Sequence, residues 1–282
     1  MALYVNTNVS SMISQRYLTK NTANLATSLE RLSSGSRINH AGDDAAGLAL
    51  SEGLRSQIRG TQQSIENIQD GVNMLQIAEG GLEIIGESLQ RIRELTVQSA
   101  NCTYATAERQ SMLNEIYQRI EEIDRIGKTA TYNGISLLNA TATSIILQIG
   151  SSSDDSSTLN IRDAFGVISS TSLGIREPMG KTGATWTPDE MRGYMDQLDQ
   201  AISDVISARS MIGAYQNRVQ CAEDNLTIMQ ENLSASEARI RDTDIAKETA
   251  ELAKCQILQQ ASASVLTQAN QLTAVALSIL QG

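Results

Sequence analysis

The sequence predicts a mainly α protein: a long antiparallel helical or coiled-coil bundle with a small β-hairpin region, in which the N- and C-terminal halves pack together. Three observations carry this. Two long stretches repeat apolar residues at spacings of three and four. The two prolines, Pro178 and Pro188, fall in one short stretch and leave the rest free of that helix breaker. Aromatic residues are 3% of the 282, with one Trp and one Phe, so the core is built from Ile, Leu, Val and Ala without much aromatic bulk.

The first 29 residues carry only Arg16 and Lys20 as charges, and Leu18, Leu25, Leu29 and Leu32 form a stripe along them. Next comes GDDAAGLALSEGLRSQIRG, from Gly42 to Gly60, with His40 just upstream. His40, Asp43 and Asp44 are metal ligands on paper, but neighbouring residues on a helix diverge by about 100°. Asp43 or Asp44 is therefore read as the cap of a long helix, and its negative charge suits the helix N-terminus. Leu54, Ile58, Ile65, Ile68, Val72, Leu75, Ala78, Leu82, Ile85, Leu89 and Ile92 then step by threes and fours, with Thr61 as the break in the row. A helix from about Asp44 to Ser99 is roughly 80 Å long and needs partners along its length.

A second helix is expected from an N-cap at Thr106, with Glu108 in its first turn and Leu113, Ile116, Ile120 and Ile123 on one face. It ends near Lys128, before a turn at Asn133-Gly134. SIILQIG and TLNIRDA read as the two strands of a hairpin joined by a serine-rich loop, and a second short strand pair is expected between Val167 and Arg176. The Thr187-Pro188-Asp189-Glu190 run is a capping box that opens another long helix. Leu198, Ala201, Val205, Ala208, Ile212, Tyr215, Val219, Ala222, Leu226, Met229 and Leu233 form its seam. Residues 255–282 carry no charge, and Leu258, Val265, Leu272 and Ile279 repeat every seven residues. Such a stripe is a marginal helix alone. Both ends read as awaiting a partner, with Leu18, Leu25, Leu29, Leu32, Leu258, Val265, Leu272 and Ile279 as the assembly seam. A membrane-surface helix would carry Lys or Arg on its polar face, where this one has Gln, Ser, Thr and Asn.

Composition also excludes functions. The net charge of −10 argues against nucleic acid, whose phosphates require clustered Lys and Arg. No apolar run is long enough for a membrane span, and the N-terminus lacks a Sec-type signal. Cys102, Cys221 and Cys255 are far apart, and one histidine cannot complete a zinc set. Gly174 to Thr182 mimics a phosphate loop but has five residues between its glycines where the motif has four, and no helix begins at Lys181. Asp154-Asp155 reads as a solvated turn, and the serines at 151–153 and 156–157 as a polar loop. Arg91 and Arg93 with Glu94 read as a solvated helix face with local ion pairs. No catalytic, cofactor or metal site is expected.

Five segments resemble bacterial flagellins, in the right order at both ends: LERLSSGSRINHAGDDAAGLALSEGLRSQIRG, LQRIRELTVQSAN, EEIDRIGKTATYNGISLL, SASEARIRDTDIAKE and VLTQANQLTAVALSIL. The chain departs from the family in its short middle and in its three cysteines. The short middle implies that the variable outer domains of larger flagellins are absent. The resemblance implies an inner terminal coiled-coil domain from residues 1–42 and 236–282, disordered in the monomer and folded in the filament. It implies an outer helical domain from 43–235, with a hairpin region at about 140–176. His40, Gly42, Asp43 and Asp44 would then be the joint between them, and the small residues Ala45, Ala46, Gly47 and Ala49 would permit close approach of a neighbouring helix or subunit.

The function implied is that of a structural subunit, not an enzyme. It would leave the cell unfolded through the flagellar type III export channel without a cleaved signal and polymerise extracellularly at the filament tip. Implied partners are further copies in a helical filament, an export chaperone that holds the C-terminal segment, and cap and junction proteins. The flagellin-sensing Toll-like receptor of animals is a further one, with Gln90, Arg91, Leu95 and Glu115 at the matching positions. The alternative is a hook–filament junction protein, which shares the terminal helices. A cytosolic coiled-coil scaffold or an enzyme would lack the paired uncharged ends.

Overall fold

The computed structural model describes residues 7–139, 144–176 and 186–281, and of 272–274 and 276–281 the backbone alone. Among these the chain forms five α-helices: α1 (Val9–Ser34), α2 (Ala45–Ser99), α3 (Thr106–Thr129), α4 (Pro188–Arg241) and α5 (Ile245–Gln281). Between α3 and α4 lie four short strands: β1 (Thr131–Tyr132), β2 (Ile135–Ser136), β3 (Ile146–Gln148) and β4 (Thr158–Asn160). The chain divides into two compact units, Ile58–Glu231 and the combination of Met1–Gln57 with Asn232–Gly282. The expected domain boundary at residues 42 and 43 falls inside the second of these.

Helix boundaries follow local chemistry. Asn8 caps α1 by accepting from the Ser11 amide at 3.0 Å, and Gly35, at φ 69°, ends it in a left-handed conformation that suits glycine. Of the two candidate caps for α2, Asp44 does the capping, accepting from the Gly47 amide at 2.9 Å. Asp43 instead accepts from the Asn39 and His40 amides at 3.1 and 3.0 Å and closes the preceding turn. Thr106 is the first residue of α3; the cap position belongs to Ala105, whose amide donates to Glu108 at 3.1 Å. Alanine offers no acceptor, so only half of a capping box forms there. At α4 the box is complete: the Thr187 amide donates to Glu190 at 2.8 Å and the Glu190 amide to Thr187 Oγ1 at 3.3 Å. Thr187→Ala removes one side of this exchange. It should cost about 1 kcal/mol and lower the melting point of the unit that holds α4's first turn by about 2–4 °C, read by circular dichroism.

In the unit Ile58–Glu231 the expected rows form one core. Ile68, Leu75, Leu82, Ile85, Leu89 and Ile92 of α2 are buried with Leu113, Ile116, Ile120 and Ile123 of α3 and Leu198, Val205, Ile212 and Val219 of α4. Thr61 does not interrupt the row: it is 1% exposed. α3 and α4 both run antiparallel to α2. Arg91 meets Glu115 on α3 at 3.1 Å, while on α4 Arg93 meets Asp199 at 2.6 Å and Glu79 accepts from Gln216 at 2.7 Å.

The expected hairpin is β3–β4, with Leu147 opposite Leu159. Gly71 of α2 lies under Leu147 and Gly60 under Ser151, so glycines let the hairpin sit close to the helix. Asn133 and Gly134, at φ 46° and 81°, make the tight β1–β2 turn that Asn-Gly sequences favour. The second strand pair expected within Val167–Arg176 does not form. That segment makes one bridge, Asn139 to Val167, and then turns, because Asp124 of α3 holds the Ser170 amide and hydroxyl at 2.7 and 2.8 Å. The phosphate-loop candidate is described only as far as Arg176; its remaining residues lie outside the described ones. Among the described residues no helix is long and apolar enough to cross a membrane, and no group of three His, Cys, Asp or Glu could hold a metal ion.

Candidate assembly surface

The uncharged chain ends meet in the unit formed by Met1–Gln57 and Asn232–Gly282. α1 and α5 pair antiparallel along their length. Asn8 donates to the Ala269 carbonyl at 2.9 Å, Asn21 to Ser262 Oγ at 3.1 Å and Gln259 to Thr22 Oγ1 at 3.2 Å, and Arg31 faces Glu248 at 3.9 Å. The pairing continues into the joint, where the Arg37 amide donates to the Arg241 carbonyl at 2.6 Å and the Thr243 amide to the Gly35 carbonyl at 2.9 Å.

The residues that face inward are not the large ones. Among the described side chains of this pair, those buried are Ser14, Ser28, Cys255 and Ala269. Leu18, Leu25 and Leu32 are half-buried beside them, and Leu252 and Leu266 hold the same position on α5. The remaining members of the expected assembly seam point elsewhere: Leu29 is 50% exposed, Leu258 41% and Val265 55%. The side chains of Leu272 and Ile279 lie outside the described ones. The six described members therefore divide between an inner face, Leu18, Leu25 and Leu32 of α1, and an outer one, Leu29 of α1 with Leu258 and Val265 of α5. Met12, Ile13, Tyr17 and Ile257 add to the outward apolar surface. Leu258 and Val265 line a groove of about 530 Å³ between the helices, with Ser14, Tyr17, Asn21 and Ser262. The inner face was legible in the three-and-four spacing of Ser14, Leu18, Asn21, Leu25, Ser28 and Leu32, once small polar residues are admitted as seam formers.

The joint residues form a compact turn. His40 Nε2 lies 2.8 Å from Glu30 Oε1, and Gly42 is exposed. Asp43's two backbone hydrogen bonds, from His40 first and then Asn39, hold its carboxyl below the ordinary carboxylate range. Gly47 packs tightly against Asp44 and the buried Ile38, so this glycine serves packing within the chain.

On the unit Ile58–Glu231, Arg91 and Glu115 meet at the surface between α2 and α3, while the exposed Gln90 lines a groove toward Ile202 and Arg209 of α4. Arg91 bridges Glu94 at 3.0 Å and Glu115 at 3.1 Å, and Arg119 adds to Glu115 at 3.3 Å. The hydrogen bond from Arg91, ahead of that from Arg119, holds the Glu115 carboxyl below its usual range. Leu95 is 2% exposed and belongs to the core, so its side chain is not part of that surface. Arg93, on the other flank of α2, is committed to Asp199.

The helical framework has close counterparts. The family model for the bacterial flagellin N-terminal helical region matches residues 5–143, and that for the bacterial flagellin C-terminal helical region matches residues 195–280. The chain is 39% identical over 290 residues to the flagellar filament 33 kDa core protein of Treponema phagedenis, covering 99% of this chain and 100% of that one. It is 39% identical over 279 residues to a flagellin of Halalkalibacterium halodurans, again with 99% and 100% coverage. Among solved structures, a putative flagellar hook-associated protein from Vibrio parahaemolyticus aligns with a TM-score of 0.58 over 71% of this chain and 100% of that one. At 14% identity that likeness is one of fold.

Proposed function

The chain belongs to the bacterial flagellin family, and from that premise we propose that it is a repeating structural subunit of a bacterial flagellar filament. The observation that carries this reading is the outward row of α5. Leu258 and Val265 are 41% and 55% exposed at seven-residue spacing on α5, in a stretch of the chain, 255–282, that holds no charge. Fully burying a large aliphatic is worth roughly 1.5–3 kcal/mol, so covering these half-exposed side chains gains about half of that each. Identical subunits joined by heterologous contacts that do not close give an open helical filament.

Seeding with filament fragments tests the reading. The full chain should elongate seeds into filaments visible by electron microscopy, and a chain lacking 255–282 should not, while its central helices keep their thermal transition. Elongation by the truncated chain would overturn the proposal.

The finer reading follows the family. The inner domain is residues 1–42 with 236–282, the outer domain 43–235, and His40, Gly42, Asp43 and Asp44 join them. The subunit leaves the cell unfolded through the flagellar type III channel, its C-terminal segment held by an export chaperone, and adds at the tip among cap and junction proteins.

Gln90, Arg91 and Glu115 are proposed as contacts for the flagellin-sensing Toll-like receptor, with the buried Leu95 holding the part of α2 that presents Gln90 and Arg91. Arg91→Ala should reduce receptor signalling at least tenfold in a reporter assay. Because its ion pairs are exposed, the unit's stability should change by less than about 0.5 kcal/mol. Full signalling by the variant would remove Arg91 from the receptor surface.

A further inference from the structure

The pairing of α1 with α5 has a feature that its apolar content does not explain. Seven residues onward from Asn21 on α1 is Ser28, and seven back from Ser262 on α5 is Cys255. The opposite step reaches Ser14 and Ala269. Because Asn21 donates to Ser262 at 3.1 Å in an antiparallel pair, these steps set Ser28 opposite Cys255 and Ser14 opposite Ala269. Those four are 4%, 1%, 7% and 5% exposed, the most buried side chains of the pair. Small side chains in these layers bring the helix axes toward the near end of the usual range of roughly 8–10 Å.

A slip of one heptad keeps small against small, so size does not fix the register. The slip does move Asn21 opposite Ala269 or Cys255. Neither side chain carries an oxygen acceptor, so the part-buried Asn21 amide exchanges its cross-helix hydrogen bond, worth about 1 kcal/mol, for water. It also parts Arg31 from Glu248 and the Ser11 hydroxyl from Asn270, which it meets at 2.8 Å.

We infer that the layers Ser14/Ala269, Asn21/Ser262 and Ser28/Cys255 are a register device: three close-approach layers, one of them polar, that lock α1 against α5 in a single alignment and turn the large apolar side chains outward toward a second copy. The outward half of this statement rests on the filament reading; the register half does not. A polar pair at one seam position specifies alignment in coiled coils in the same way, at a cost in stability. Cys255 then has a structural place as a small buried group.

The experiment uses full-length chain with Cys102→Ser and Cys221→Ser, so that Cys255 is the remaining thiol. In that background Ser28→Cys is compared with Leu29→Cys, in monomer and in seeded filaments. Copper(II)–phenanthroline is the oxidant: two thiols lose two protons and two electrons to it, and one S–S bond forms within the chain. Peptide mapping should find the 28–255 bridge at least fivefold more abundant than the 29–255 bridge. Adding Asn21→Leu should cut the 28–255 bridge several-fold, and Ser28→Leu without the cysteine pair should slow elongation more than tenfold where Ser28→Ala does not. Equal bridging from 28 and 29, or an unchanged 28–255 bridge with Asn21→Leu, would overturn the register device. A strong 28–255 bridge in the Ser28→Cys chain, with a wild-type chain that never elongates seeds, would keep the register and overturn the filament reading.

Discussion

Val265→Asp should leave the monomer as stable as wild type and stop filament growth. Val265 is 55% exposed, so a carboxylate there stays hydrated in the monomer and disturbs no packed neighbour. On the filament reading other copies cover the outward row, and the same carboxylate must then leave water. The nearby side chains of α5 offer no counter-charge, since the chain from 255 on is uncharged, and Lys20 is the cation in the groove that Val265 lines. Taking an ion out of water costs several kcal/mol, which one flexible lysine offsets only in part. At about 3 kcal/mol per interface, subunit affinity falls more than a hundredfold, and the penalty recurs at every copy along the filament. Sedimentation of seeded reactions measures the growth. A variant that pellets with wild-type yield would mean that this face stays open to water. Leu258→Asp, one heptad away at 41% exposure, should behave the same way.

How far the sequence alone reveals the fold depends on which residues carry the pattern. The α2 and α4 rows are legible because large aliphatics at helical spacing have one common reading. The capping box at Thr187 is legible because its chemistry is local. Thr61 reads as a break because its polarity suggests exposure, yet it takes a core place on the strength of its size. The segment after Val167 reads as strands because β-branched residues favour them locally. What bends it is distant in sequence: Asp124 grips Ser170, and Gly127 leaves room for the Ile168 carbonyl, which a β-carbon would approach to 2.5 Å. The candidate surface is half legible. The uncharged ends announce that something covers them, but a seam of Ser, Asn, Cys and Ala is invisible to a search for apolar periodicity. Apolar spacing therefore groups the expected seam residues into one stripe at each chain end, where Leu18, Leu25 and Leu32 are half-buried and Leu29, Leu258 and Val265 are exposed. Leu95 enters the expected receptor contacts only through its place in a motif, although the spacing of Leu89, Ile92 and Leu95 already marks it as core.

Adjacent residues on α2 separate folding from assembly most sharply, and Ile85→Ala against Ile84→Ala is the test. Ile85 is fully buried, and neighbours from α3 and α4 share its core. Truncation there forfeits transfer energy and leaves a cavity that three packed helices relax only partly, for about 2–5 kcal/mol. Against the roughly 5–15 kcal/mol typical of a domain, that is a large fraction. The melting point of the unit Ile58–Glu231 should drop by about 10 °C, since each kcal/mol moves a domain of this size by about 2–4 °C. Ile84 is 50% exposed and stands one residue away, on the solvent side of the same helix. Its truncation should shift stability by less than about 0.5 kcal/mol, and alanine, the better helix former, offsets part of the burial that the isoleucine side chain supplied. Thermal unfolding of the two variants side by side decides the matter. Equal destabilisation would mean that the solvent face of α2 is packed in the monomer. A large gap with both chains still elongating seeds at low temperature would place the stability of this unit and the growth of the filament in different sets of side chains, as the separation between the α2 core row and the α5 outer row requires.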